Sequence, residues 1–148
     1  MFGPSGASLL SAFYFHLRQL ELGVNKLASV LNPLQGCLIE AISTFLLVFV
    51  IFASTDGGRK DLKGSAALAI GLCVPAVALF AGPLTGCSLN PARTLAPSIA
   101  AGHFENHWVY WIGPLLGGVV AGLLYHHVFR VKNQRIVARE PDVEFCDK

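Results

Sequence analysis

With 148 residues, 53% of them hydrophobic and only 14% charged, and a mean hydropathy of +0.57, the chain is more apolar than a soluble domain of its size can hide; it reads as a membrane protein. A formal net charge of +2 is too small to suggest a nucleic-acid partner. Cys37, Cys73, Cys87 and Cys146 show no C-x-x-C spacing, so they read as free thiols rather than zinc ligands or a disulfide framework. The start Met1-Phe2-Gly3-Pro4 has no basic flank and makes a poor secretory signal.

Taken in order, the apolar patch at 7–17 stops at Arg18, short of the ~17 residues a spanning helix needs, and reads as the tail of a helix. Residues 18–35 mix charge, polar groups and the breaker Asn32-Pro33, which predicts an irregular loop. The first full span is 36–55, whose only charge is Glu40. An intramembrane carboxylate is a functional candidate, and equally a buried Glu accepting bonds from nearby backbone amides; both readings stand on the sequence. Asp56-Gly57-Gly58-Arg59-Lys60-Asp61-Leu62-Lys63 is a water-exposed turn.

Residues 65–83 form the second span. Its Ala66, Ala67, Ala69, Gly71 and Ala76 suit close helix contacts, and Pro75 is a candidate kink. The third span, 108–129, opens with the interfacial aromatics Trp108, Tyr110 and Trp111, and its Gly113, Gly117, Gly118 and Gly122 offer a packing face to another helix. Beyond it, Arg130, Lys132, Arg135 and Arg139 mark exit into water. His103 and His107 lack a third ligand in metal-site order, and His126 and His127 sit near a span end, so no metal or other cofactor is expected. With no nucleophile elbow, phosphate-binding loop or carboxylate pair, no enzyme is expected either.

Between the second and third spans lies Thr85-Gly86-Cys87-Ser88-Leu89-Asn90-Pro91-Ala92-Arg93, where helix-starting chemistry interrupts an uncharged run. Asn90 suits an N-cap and Pro91 the first helical position. Basic residues cluster in the 56–63 turn and in the tail, so the positive-inside rule places both in the cytoplasm. A third full crossing by 90–101 would put them on opposite sides; residues 84–101 are therefore expected to dip in and return. Taken alone, the same residues fit an ordinary helix start with Arg93 snorkelling to the interface.

Asn90-Pro91-Ala92-Arg93 in such a dip, preceded by Thr85-Gly86-Cys87, resembles the second signature of the aquaporins, or major intrinsic proteins. The likeness extends to Leu38-Ile39-Glu40 with Ser43-Thr44, to Gly64-Ser65-Ala66 with Ile70-Gly71-Leu72, and to Asn106-His107-Trp108-Val109-Tyr110-Trp111-Ile112-Gly113-Pro114. It implies an all-α membrane protein: an aquaporin-like half bundle of three transmembrane helices, one re-entrant half-helix and a partial N-terminal helix. The organisation expected is a partial helix and extracellular loop at 1–35, the second aquaporin-like repeat at 36–129 and a cytoplasmic tail at 130–148 of a multi-pass cell-membrane protein. The family assembles as tetramers in the lipid bilayer, each subunit with its own pore.

By the same resemblance, the Asn90 amide donates to passing water, the half-helix dipole repels cations, and Arg93 is the fixed charge of the outer constriction, with carbonyls of Gly86, Cys87 and Ser88 as acceptors. Water channels of the family usually carry a His facing that arginine; the matching position here is Ala78, which widens the constriction and leaves room for glycerol or urea. Thr94 and Tyr110-Trp111 lean towards water. Whole members have six spans and two dips, and Asn32-Pro33-Leu34, in the loop before the first span, is rejected as a second one. The chain is therefore expected to be half of a channel that does not conduct as a monomer; the rival expectation is a truncated, non-conducting subunit that packs through its glycine faces on a complete channel and modulates it.

Overall fold

A computed structural model describes residues 23–58 and 64–130. The partial helix at 7–17, the basic part of the turn at 59–63 and the tail beyond Arg130 lie outside the described residues. Within the described residues four α-helices follow in order: α1 (Pro33–Thr55), α2 (Ala66–Thr85), α3 (Pro91–Ala101) and α4 (Val109–Leu124), the last running on into a π-helical turn, Tyr125–Phe129. Among the described residues, three helices are long and apolar enough to cross a membrane: α1, α2, and α4 with its π turn.

The first span begins three residues earlier than the sequence suggested. Asn32 does not break the chain but caps it: its Oδ1 accepts from the Gln35 N–H at 2.8 Å, and Gln35 Oε1 accepts from the Asn32 N–H at 3.0 Å. That reciprocal capping box, with Pro33 at the first helical position, satisfies donors the helix could not pair itself. Ser65 caps α2 in a similar way, accepting from the Leu68 N–H. Helix α2 runs through Pro75 and on to Thr85, where Gly86 turns left-handed at φ 80° and ends it.

Helix α4 lies along α1 at very short range, and its glycines make that possible. A Cβ on Gly113 would fall 2.8 Å from the Cys37 carbonyl oxygen, and one on Gly117 would overlap the Ala41 carbonyl. The glycine face is thus filled from within the chain, by α1. In contrast, Ala67, Ala69, Gly71 and Ala76 of α2 are exposed, so the small-residue face expected to pack closely is uncovered among the described residues.

Polarity is distributed inside out. Glu40, Thr85, Thr94, Ser43, Ser88 and Ser98 are among the largest fully buried side chains, whereas Leu38, Leu46, Leu72, Leu115 and Val119 face outwards. Hydrocarbon solvates the latter at no cost, while polar groups must find partners inside the protein.

The helix ends fix the connectivity. At one end, Tyr125 Oη donates to Asp56 Oδ2 at 2.8 Å, bringing the turn after α1 beside the end of α4. At the other, Cys37, Val109 and Tyr110 cluster under Leu27, and Tyr110 Oη donates to the Thr85 carbonyl at 3.0 Å. The start of α1, the start of α4 and the end of α2 therefore share one end of the bundle. Residues 86–108 leave from that end and come back to it.

Candidate pore-lining site

The chain leaves α2 through a loop that no ordinary turn would produce. Gly86, Cys87 and Leu89 all have positive φ, at 80°, 51° and 59°. For Cys87 and Leu89, which carry a Cβ, this left-handed backbone costs of order 1–3 kcal/mol each and needs outside support.

Glu40 supplies it. Its side chain is fully buried on α1, with Oε1 accepting from Thr85 Oγ1 at 2.6 Å and from the Ser88 N–H at 2.9 Å, and Oε2 accepting from the Leu89 N–H at 2.9 Å. The Cys87 N–H turns to Thr85 Oγ1 at 3.2 Å. These donors are thus committed to the protein side, while the carbonyls of Gly86, Cys87 and Ser88 accept no hydrogen bond within the described residues. Glu40 thereby accepts from backbone amides, one of the two readings its sequence position left open.

Leu89 then packs on the cluster of Val77, Ala81 and Cys87, which reaches about two turns back along α2 from its end. The start of α3 is thus set into the bundle rather than at its rim. Asn90 caps α3, its Oδ1 accepting from the Ala92 N–H at 2.9 Å. Since the amide oxygen is taken, what Asn90 offers outwards is its NH2 donor pair. Asn90, Ala92 and Arg93 are exposed, and Pro91 is half-buried.

Hydroxyls anchor the start of α3. Thr94 and Ser98 are buried, and Ser88 Oγ and Thr94 Oγ1 share a hydrogen bond. Helix α3 ends at left-handed Gly102, whose N–H returns to the Ile99 carbonyl. Its N-terminal turn thus carries the exposed Asn90 and Arg93 beside a buried hydroxyl anchor.

Ala78, half-buried on α2, packs against that same Val77–Ala81–Cys87 cluster. Cys87 is buried at 8% exposure and unpaired, in keeping with the small apolar role that buried cysteines usually fill. The sequence reading missed Asn25. It is 2% exposed and lies in the stretch before α1; its Oδ1 accepts from Arg93 Nη1 at 2.6 Å. Nothing local marks it, because an Asn in a polar connecting segment is ordinary.

Three apolar helices of spanning length, with a short capped helix starting inside the bundle from the end it later returns to, define a multi-pass membrane protein with a re-entrant segment. The profile of the family described as Major intrinsic protein matches residues 3–125, and the chain belongs to that family, one of channels for water and small solutes. Over 108 residues it is 52% identical to Aquaporin-4 of Rattus norvegicus, covering 73% of this chain and 33% of that protein. Similarity to Aquaporin-4 of Homo sapiens is 49% over 124 residues, covering 84% and 35%. Aquaporin TIP2-1 of Arabidopsis thaliana is 43% identical over 124 residues, covering 83% and 50%. The chain spans about a third of the length of the aquaporin-4 relatives and about half of the plant one.

Proposed function

We propose that this chain forms one wall of a passive conduit for water, wide enough at Ala78 to admit glycerol or similar small neutral solutes. The observation that carries the reading is the first turn of α3. It sets a capped helix N-terminus, an outward-facing Asn90 amide and the Arg93 guanidinium side by side at the inner limit of a segment that dips and returns. The positive dipole end and the fixed guanidinium oppose cations, protons included, while Asn90 donors and the carbonyls of Gly86, Cys87 and Ser88 replace hydration bonds for an uncharged solute.

Asn90 and Arg93 are exposed in this chain, so the facing wall must come from another polypeptide surface or from residues outside those described. A homo-tetramer at the cell membrane, with the Asp56 turn and the end of α4 on the cytoplasmic side, is the assembly we infer.

Osmotic swelling of vesicles containing this chain, alone and with a complete channel, is the direct test. Rapid swelling lost in Arg93→Val and Asn90→Asp supports conduction through this wall. Swelling unaffected by either substitution would remove Asn90 and Arg93 from the path. An altered permeability seen only when a complete channel is present favours the modulating subunit; the exposed small-residue face of α2 gives that reading its docking surface, since the glycine face of α4 is already occupied.

A further inference from the structure

The stretch before α1 holds a side chain that the motif alone does not account for. Asn25 stands between two parts of the site: its Oδ1 accepts from Arg93 Nη1 at 2.6 Å and from Thr94 Oγ1 at 3.2 Å, and its Nδ2 lies 3.5 Å from the Thr85 carbonyl oxygen as donor. The amide therefore faces α3 with its acceptor and the end of α2 with its donor, an orientation the two sets of partners fix. Its backbone is held as well. The Ala28 N–H donates to the Leu84 carbonyl at 2.8 Å, and Leu27 seats on Gly36. Gly86 makes the fit possible, since a Cβ there would fall 2.8 Å from Asn25 Nδ2 and 3.2 Å from Asn25 Cα.

Arg93 needs such a hold. An exposed arginine on the first turn of a helix has many rotamers, and Asn25 supplies the one side-chain acceptor recorded for its guanidinium among the described residues. A neutral acceptor also fixes the group without cancelling its charge, which a carboxylate would do.

We propose that Asn25 is a positioning residue for Arg93, so that the selectivity of the conduit is set by the segment preceding α1 as well as by the motif on α3. This rests on reading Arg93 as the fixed cation of the constriction. Asn25→Ala frees the guanidinium. Asn25→Asp retains an acceptor of the same shape while neutralising the cation.

The test has two readouts. First, the detergent-solubilised chain is treated with phenylglyoxal, and modification of Arg93 and of Arg130, at the other end of the bundle, is followed by peptide mass spectrometry. Asn25→Ala should raise the Arg93 rate roughly tenfold, the weight of one charge-assisted hydrogen bond, with Arg130 unchanged; Asn25→Asp should keep the Arg93 rate at or below that of the original chain. A change of less than about twofold in Asn25→Ala, or a parallel rise at Arg93 and Arg130, overturns the proposal. This readout does not require conduction. Second, in vesicles, Asn25→Ala should raise the ratio of urea to water permeability, with no further effect in an Arg93→Val background. If labelling responds but Arg93→Val leaves permeability unchanged, the reading of Arg93 fails while its tether to Asn25 stands.

Discussion

Replacing Glu40 by Gln tests what holds the re-entrant loop. The carboxylate serves Thr85 Oγ1 and the Ser88 N–H through Oε1, and the Leu89 N–H through Oε2. Glutamine has one acceptor oxygen. Placed as Oε1 it keeps the first two bonds, and its NH2 then confronts the Leu89 N–H, donor against donor. Flipped, it keeps the Leu89 bond, but its NH2 confronts the Ser88 N–H and Thr85 Oγ1 must turn its proton to the longer contact with the Ala81 carbonyl at 3.2 Å, so the first orientation wins. The loss is one hydrogen bond to a charged group, about 2–3 kcal/mol in a buried site. Leu89 is also left-handed at φ 59°, so the residue that loses its acceptor is one already under strain. Amide hydrogen exchange of the solubilised chain reads the effect directly. At about 1.4 kcal/mol per tenfold, the Leu89 amide should exchange roughly 30- to 150-fold faster, with a smaller change at Ser88 and none in the middle of α1. Equal acceleration at both amides would mean that the side chain does not choose the first orientation. No acceleration at either would show that the loop holds its shape without the carboxylate.

Gly117→Ala should separate α1 from α4, because the new Cβ meets the Ala41 carbonyl, and lower stability by about 1–3 kcal/mol. Gly122→Ala, whose Cβ would lie 3.5 Å from Phe52 Cε2, should be tolerated, and thermal melts of the two variants side by side check the contrast. Asn32→Ala removes the Oδ1 acceptor of the Gln35 N–H, leaving the backbone half of the capping box, and should cost about 1 kcal/mol, visible as faster exchange confined to the first turn of α1. Thr44 Oγ1 is buried with no partner among the described residues, so Thr44→Val should leave denaturation unchanged or shift it upwards; a marked loss would reveal a partner for that hydroxyl. Ala78→His should reduce glycerol flux more than water flux in a conducting preparation, and equal reduction would place Ala78 away from the constriction.

The elements with a local cause could be read from the sequence alone. The span of α2 is announced by its uncharged run, and the start of α3 by Asn90-Pro91, where the cap and the first helical residue are adjacent. Asn32-Pro33 carries the same two signals, but the polar residues around it favour a breaker, and only Gln35, three residues on, marks the capping box. The face of α4 that packs was legible as a glycine pattern. Its partner was not, since spacing says that a helix can come close without saying which one does. Asn25 was illegible for a similar reason, its partners being 60 to 69 residues away.

That separation bears on how the site is built. The motif on α3 supplies the groups offered to a solute, but their placement is delegated. Glu40 of α1 fixes the loop backbone, Thr85 at the end of α2 passes a hydroxyl to Glu40 and its carbonyl to Tyr110 and Asn25, and Asn25 holds Arg93. These supports come from three stretches of chain, and the Glu40, Thr85, Tyr110 and Asn25 side chains that make them are all buried. Because hydrocarbon would offer them no alternative partners, pulling one support away leaves the next without a bond rather than returning it to water. Consequently, double substitutions within the set, Glu40→Gln with Tyr110→Phe for instance, should depart from additivity, whereas Glu40→Gln with Asn32→Ala, which share no partner, should simply add.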